Sequence, residues 1–210
     1  MKQYVLLDWD GNLAQTLQIW LEVWRAALSK RGFYLSDAQF GAHFGTLMGQ
    51  MPSWGISDPE AIWEDADKFA KKKLPGADLY PDALEVLERL HEKNKKLALV
   101  TSALRFDMDH LLKRYDIAQF FDVIITHDDV AHHKPHPESL EKALSILSGN
   151  KEQAIMIGDT DKDIEAANNA GIESILFYPP EHERFYNLDK FKKSSPTYVV
   201  RDFKEILDIV

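Results

Sequence analysis

Two carboxylates two positions apart, Asp8 and Asp10, follow the apolar run Tyr4 to Leu7 in the segment Asp8-Trp9-Asp10-Gly11-Asn12-Leu13. On a continuing strand such residues point the same way, and like charges held so close are costly unless a cation or a substrate proton offsets them. Gly11 allows a sharp departure that keeps both side chains at the end of the strand. Asp-x-Asp alone also occurs in ordinary loops; its position after an apolar run, with Gly and Leu following, sharpens it. A second acidic group, Gly158-Asp159-Thr160-Asp161-Lys162-Asp163, follows the run Ala154 to Ile157. A helix starting near Thr160 presents Asp159 and Asp163 toward one side. Asp161 reads as a helix-capping residue, but capping explains Asp159 less well, because strand end and helix start must be served in few residues. Oxygen donors from Asp8, Asp10 and Asp159, with no His or Cys at matching spacing, suit Mg2+.

The remaining candidates are hydroxylic or cationic. Thr101 and Ser102 follow the run Leu97 to Val100 and can offer hydroxyl and backbone N–H groups to phosphate oxygens, although such residues also serve as plain caps. Lys134 lies in the proline-stiffened segment His133-Lys134-Pro135-His136-Pro137-Glu138, where an ammonium can neutralise charge on a transferring phosphoryl group. Arg105 is a further possible contact, with a surface role the simpler reading. His127, His132, His133 and His136 invite a zinc reading, but no paired-His or acidic-helix signature accompanies them.

These residues need elements that bring them together. Short runs rich in Val, Ile and Leu, at 4–7, 97–100, 123–125, 154–157 and 174–178, read as buried strands. Helical spacing lies between them, in Leu104, Met108, Leu111, Leu112 and Tyr115, in Leu140, Ala143, Leu144 and Leu147, and in Asp161 to Ala170 before Gly171. Strands alternating with such helices imply an α/β fold, a parallel sheet covered on both faces. Ligands of such sheets gather at the carboxyl ends of the strands, where Asp8, Thr101 and Asp159 fall. The alternation breaks from about Ala14 to Leu79, where only helices are apparent. Leu17, Trp20, Leu21, Trp24 and Leu28 form one amphipathic stripe and Ile62, Ala66, Phe69 and Ala70 another; Ser36 with Gln39 and Ser57 with Glu60 resemble capping boxes. This stretch reads as a helical insertion at 14–79 in a core made of 1–13 and 80–210. The tryptophans are read as packing residues rather than a cofactor box.

Composition narrows the function classes. Of 210 residues, 45% are hydrophobic and 28% charged, an ordinary globular balance. A formal net charge of −9 argues against a nucleic acid polymer as partner. With no cysteine, thiolate catalysis, disulfides and thiolate-bound zinc drop out. No apolar run suits a signal peptide or a membrane helix, so a soluble cytoplasmic protein is expected.

Taken in order, the four segments resemble the motifs of the haloacid dehalogenase-like hydrolase superfamily. Asp8 to Leu13 is similar to its Asp-x-Asp-Gly-(Thr/Val)-Leu motif, Thr101 to its second-motif Ser/Thr, Lys134-Pro135 to its third-motif lysine, and Gly158-Asp159 with Asp163 to its acidic fourth motif. Tyr80-Pro81-Asp82-Ala83 looks like the re-entry from the family's helical cap. The resemblance covers nearly the whole chain and implies a Rossmann-like core with a mobile cap. It implies Asp8 as nucleophile, forming an aspartyl-phosphate, and Asp10 as general acid and then base. Mg2+ would be held by Asp8, the Asp10 backbone carbonyl and Asp159, with Asp163 orienting metal-bound waters or Lys134. Thr101, Ser102 and Lys134 would bind the phosphoryl group. Asn12 departs from the family's Thr or Val, and its backbone N–H is still expected to serve phosphate.

Within that resemblance, Asp10 favours phosphoryl transfer over dehalogenation, since carbon–halogen cleavage needs no leaving-group acid. The expected activity is a Mg2+-dependent phosphatase acting on a small phosphorylated metabolite. A phosphomutase is an alternative, disfavoured by Trp20 where sugar-phosphate mutases of this type have His. A binding or regulatory protein retaining the fold is another, disfavoured because Asp8, Asp10, Lys134 and Asp159 are all present. Specificity is expected to lie around Phe40 to Trp54, where Gly41, Gly45, Gly49 and Pro52 suggest a loop able to close over substrate.

Overall fold

The computed structural model describes residues 2–210. Six parallel strands form one sheet in the order β3-β2-β1-β4-β5-β6: β1 (Tyr4–Leu7), β2 (Lys96–Val100), β3 (Val123–Ile125), β4 (Ala154–Gly158), β5 (Glu173–Phe177) and β6 (Tyr198–Val200). The two-residue period of the strands splits their side chains between two cores. Val5, Leu7, Leu97, Leu99, Ile155 and Ile157 enter one, and Leu6, Ala98, Val100, Ala154 and Met156 the other.

Helices α1 (Leu17–Ser29), α2 (Asp37–His43), α3 (Leu47–Gln50) and α4 (Pro59–Lys73) precede β2, as does α5 (Ala83–Glu92); α6 (Arg105–Tyr115), α7 (Glu138–Ile146) and α8 (Asp161–Ala170) follow it. On one face of the sheet the core takes Val86, Leu87 and Leu90 from α5 and Met108, Leu111 and Leu112 from α6. On the other it takes Leu140, Ala143 and Leu144 from α7 and Ala166, Ala167 and Ala170 from α8. The small side chains of α8 let it lie close against β4 and β5, and Gly171, at φ 72°, ends it in the left-handed conformation. Both faces are thus covered, as runs of Val, Ile and Leu without polar alternation require.

The chain divides into two compact units. One holds the sheet: the chain up to Ala14, Leu79–Pro180 and Leu188–Val210. The other holds α1 to α4, as Gln15–Asp78, together with Glu181–Asn187. In the helical unit α1 packs on α4, with the Trp24 and Trp63 rings 5.7 Å apart. Ser36 caps α2 through reciprocal bonds with Gln39.

The structure departs from the sequence reading at four places. Helix α4 is capped by Asp58, whose carboxylate accepts the Ala61 N–H at 3.0 Å, and not by Ser57. Strand β6 has only three residues, two of them exposed, so no buried run marks it. Glu181–Asn187 belongs to the helical unit and not to the core: Arg184 pairs with Asp37 at 2.6 Å, and Phe185 meets Phe40 edge to face at 5.7 Å. The stretch from Phe40 to Trp54 is helical turns, α2, α3 and a 3-10 turn over Met51–Trp54, rather than a hinged loop.

Gly41 illustrates the last point. A Cβ built there would stand 1.8 Å from the Phe185 carbonyl oxygen, so the glycine admits a backbone, not a hinge. Alanine at an exposed helix site gains about 1 kcal/mol over glycine. At this site the sign reverses: Gly41→Ala is expected to destabilise the helical unit by about 1–3 kcal/mol, as overpacking does. Urea unfolding, together with faster proteolytic cleavage near Phe185, checks it; a stabilised variant would contradict it.

Candidate active site

In this strand order the chain runs outward from β1 through β2 to β3, then returns to place β4 on the other side of β1. Crevices form at the carboxyl ends of strands where the order reverses in this way. Asp8 follows β1 and donates its N–H to the Ile157 carbonyl of β4 at 2.9 Å. Asp159 follows β4, and Thr101 follows β2 with its N–H on the Ile125 carbonyl at 2.9 Å. Three short runs of sequence therefore deliver three polar residues to one end of the sheet.

Lys134 ties them together. Its ammonium lies 2.9 Å from Asp8 Oδ1 and 2.6 Å from Asp163 Oδ1, and donates to the Val100 carbonyl at 3.1 Å. The three side chains are almost wholly buried, at 6%, 11% and 2% exposure for Lys134, Asp8 and Asp163. The other oxygen of Asp163 accepts the Thr160 N–H at 3.1 Å and the Thr160 hydroxyl at 2.7 Å. Thr160 and Asp163 thus form a capping box at the start of α8, and Asp161 sits in the first turn instead of capping it. The Thr-x-x-Asp spacing carried that signal. A Cβ at Gly158 would lie 2.4 Å from Asp163 Cβ and Cγ, so only glycine lets this carboxylate reach Lys134 across the end of β4.

Burial pushes the Asp8 carboxyl up to about 7, opposed by Lys134 and reinforced by the charges of Asp163 and Asp10. Burial pulls Lys134 down, but the charges of Asp163 and Asp8 outweigh it and hold the ammonium above its usual range. Asp8, Asp159 and Asp163 each bring a carboxylate oxygen within 4.8 Å of the other two. Three buried carboxylates converge where Lys134 and the nearby Lys162 are the cations, and the remaining negative charge is what a hard divalent cation relieves. The donor set is all oxygen and fits such an ion. The Asp163 carboxylate stands in the cluster beside Asp8 and Asp159, while the Asp10 side chain is half-buried.

The other candidates fall as follows. The segment after β1 turns back on itself, with Gly11 at φ 71° and the Gly11 N–H on the Ala14 carbonyl at 3.0 Å. Asn12 is fully buried and donates its side-chain amide to the Asp8 carbonyl at 3.0 Å. Its backbone N–H, expected to face phosphate, goes instead to the Trp9 carbonyl at 3.2 Å, so Asn12 braces the turn. The Thr101 hydroxyl accepts the Ala103 N–H at 3.1 Å, and Ser102 is exposed. Arg105 is tied to the Ile124 carbonyl and to Asp129, which fixes α6 beside β3 and leaves it a structural role.

The haloacid dehalogenase-like hydrolase family matches residues 5–177, most of the chain. The chain belongs to this family. Its enzyme class is phosphatase. It is 37% identical over 158 residues to the pyrophosphatase PpaX of Halalkalibacterium halodurans, covering 73% of this chain and 71% of that one. It is 41% identical over 176 residues to the pyrophosphatase PpaX of Anoxybacillus flavithermus, covering 81% and 80%. Its fold matches a crystal structure from Haemophilus somnus, described as a predicted phosphoglycolate phosphatase, with TM-score 0.86 at 21% identity over 99% of this chain and 97% of that one. No helix among the described residues is long and apolar enough to cross a membrane.

A carboxyl whose folded pKa lies above its unfolded value binds extra protons in the native state, so its contribution to stability is lost as pH rises through that window. For Asp8 the window runs from about 4, the free value, to about 7. Asp8→Asn is therefore expected to stabilise the chelator-treated protein at pH 8 by about 1–3 kcal/mol, the gain vanishing toward pH 4. Denaturant unfolding at the two pH values measures this; a variant less stable than the parent at pH 8 would contradict it.

Proposed function

We propose that the chain is a Mg2+-dependent phosphohydrolase that cleaves small phosphorylated molecules through an aspartyl-phosphate on Asp8. The observation carrying this reading is the placement of the Lys134 ammonium between Asp8 and Asp163, beside the buried Asp159. Asp8, the Asp10 backbone carbonyl and Asp159 would hold the ion, which supplies charge neutralisation for the carboxylates and the transferring phosphoryl group.

An Asp8 carboxylate oxygen attacks phosphorus as the bond from phosphorus to the leaving oxygen breaks. Asp10 delivers its proton to that oxygen. In the second half Asp10 takes a proton from water, the water oxygen attacks phosphorus, and the phosphorus–Asp8 bond breaks to free phosphate and carboxylate. Lys134 and the residues at the end of β2, Thr101 and Ser102, stabilise the phosphoryl oxygens during both transfers. Asp163 keeps the ammonium aimed, and Thr160 and Gly158 keep Asp163 in place.

Relatives at 37% and 41% identity carry the name pyrophosphatase, which makes inorganic pyrophosphate the first substrate to test.

Phosphate release from pyrophosphate, phosphoglycolate, sugar phosphates and nucleoside monophosphates, with Mg2+ or with chelator, tests the proposal. Release should require the metal and should vanish in Asp8→Asn. Asp10→Asn should cost about 10²–10⁴-fold with an alkyl phosphate, and less with pyrophosphate, whose leaving phosphate needs little help from an acid. Metal-independent release, or an active Asp8→Asn variant, would sink the reading.

A further inference from the structure

The segment joining β3 to α7 carries four histidines, and the structure sorts them into two pairs. His127 and His133 stack face to face, with ring centres 4.0 Å apart and planes at 11°. His132 and His136 approach at 4.6 Å, and Glu138, the first residue of α7, joins that second pair. His132, His136 and Glu138 can each present one ligand atom within 4.8 Å of the other two.

The carboxylate of this trio is fixed by the backbone. One Glu138 oxygen accepts the Ala131 N–H at 2.9 Å, and the other accepts the His132 N–H at 2.9 Å and the His132 Nδ1 at 2.8 Å. These donors, Ala131 foremost, hold Glu138 ionised down to about 2. The neutral ring can instead turn the lone pair of this Nδ1 toward Glu138, so an ion seated between them would take the place of the hydrogen bond. A carboxylate has about four acceptor positions, and three are used here, so Glu138 keeps one. His136 accepts the Glu138 N–H through Nδ1 at 3.2 Å, a long bond that a metal would replace. Both imidazoles are exposed, so an ion reaches them from solvent without any opening of the fold.

We propose that His132, His136 and Glu138 form a surface site for a borderline transition-metal ion, Zn2+ above all, separate from the carboxylate site at Asp8. Two imidazole nitrogens and one oxygen suit Zn2+, with water completing the coordination, and disfavour Mg2+, which takes oxygen donors. The carboxylate cluster has the opposite preference, so the two sites discriminate between metals by ligand type. A bound ion would bridge positions 132 and 138 across the stretch that carries Lys134.

The spacing His-x-x-x-His-x-Glu carries little weight as a sequence signal, because it matches the helical two-histidine pattern only in part and lies in a loop. What makes it a site is the turn through Pro135 and Pro137, which folds both rings back on the first residue of α7.

Untagged full-length protein, titrated with Zn2+ by calorimetry and with Co2+ by visible absorption, tests the assignment in excess Mg2+. We expect one Zn2+ per chain and a Co2+ spectrum with nitrogen ligation. His132→Gln and His136→Gln should each weaken Zn2+ by roughly tenfold or more, and the distant control His110→Gln should not. All three rings are exposed, so the substitutions leave the fold intact. Binding unchanged in the His132→Gln, His136→Gln double variant would overturn the site, as would Zn2+ binding abolished by Asp8→Asn.

Discussion

A buried ammonium holds the site together. Lys134 comes from a loop that belongs to no strand, yet it is the one cation that Asp8, Asp163 and the last carbonyl of β2 share. Asp8 and Val100 sit at the ends of β1 and β2 and Asp163 in the first turn of α8, so the shared ammonium ties three elements together. Such an arrangement is a weak source of stability, because desolvating the charges offsets much of their attraction. Removing Lys134 is another matter, since it strands two buried carboxylates; breaking a buried pair costs about 3–5 kcal/mol. The network is better understood as a device for position than as a contributor to stability.

The same network is short of positive charge. Asp8, Asp159 and Asp163 converge within a few ångströms, and Lys134 balances only part of them. Burial then raises the Asp8 carboxyl toward neutrality. A divalent ion and a phosphoryl group bound together, as proposed, would neutralise each other's charge there. Native-state strain of this electrostatic kind belongs at functional sites, where the rest of the fold sustains it. Gly158 shows how far the backbone goes to permit it: the carboxylate of Asp163 occupies the space where any other residue would place its Cβ.

Much of this was legible in the residues themselves. Five of the strands announce themselves as apolar runs, because strands buried on both faces tolerate no polar alternation. Asp8, Thr101 and Asp159 were readable as strand-end residues for the same reason. What escaped notice lacked a local pattern. Strand β6 is short and half exposed, and Glu181–Asn187 joins the helical unit through Arg184 and Phe185, contacts made with residues far away in sequence. Gly41 read as part of a closing loop because glycine permits both flexibility and close approach, and only the Phe185 carbonyl decides between them. Asn12 and Arg105 were candidates for phosphate, but their hydrogen bonds to Asp8, Ile124 and Asp129 assign them to the scaffold. The histidines were set aside for want of a spacing signature, and it is the turn before α7, invisible in the spacing, that gathers two of them around Glu138.

The account rests on Asp8 receiving the phosphoryl group beside an ion that it shares with Asp159. The most direct measurement is a crystal structure grown with Mg2+ and beryllium fluoride, which mimics a phosphoryl group bonded to a carboxylate. The account predicts beryllium on an Asp8 oxygen, Lys134 against the fluorides, and Mg2+ ligated by both Asp8 and Asp159. Beryllium fluoride on another residue, or a Mg2+ ion without Asp8 among its ligands, would contradict it.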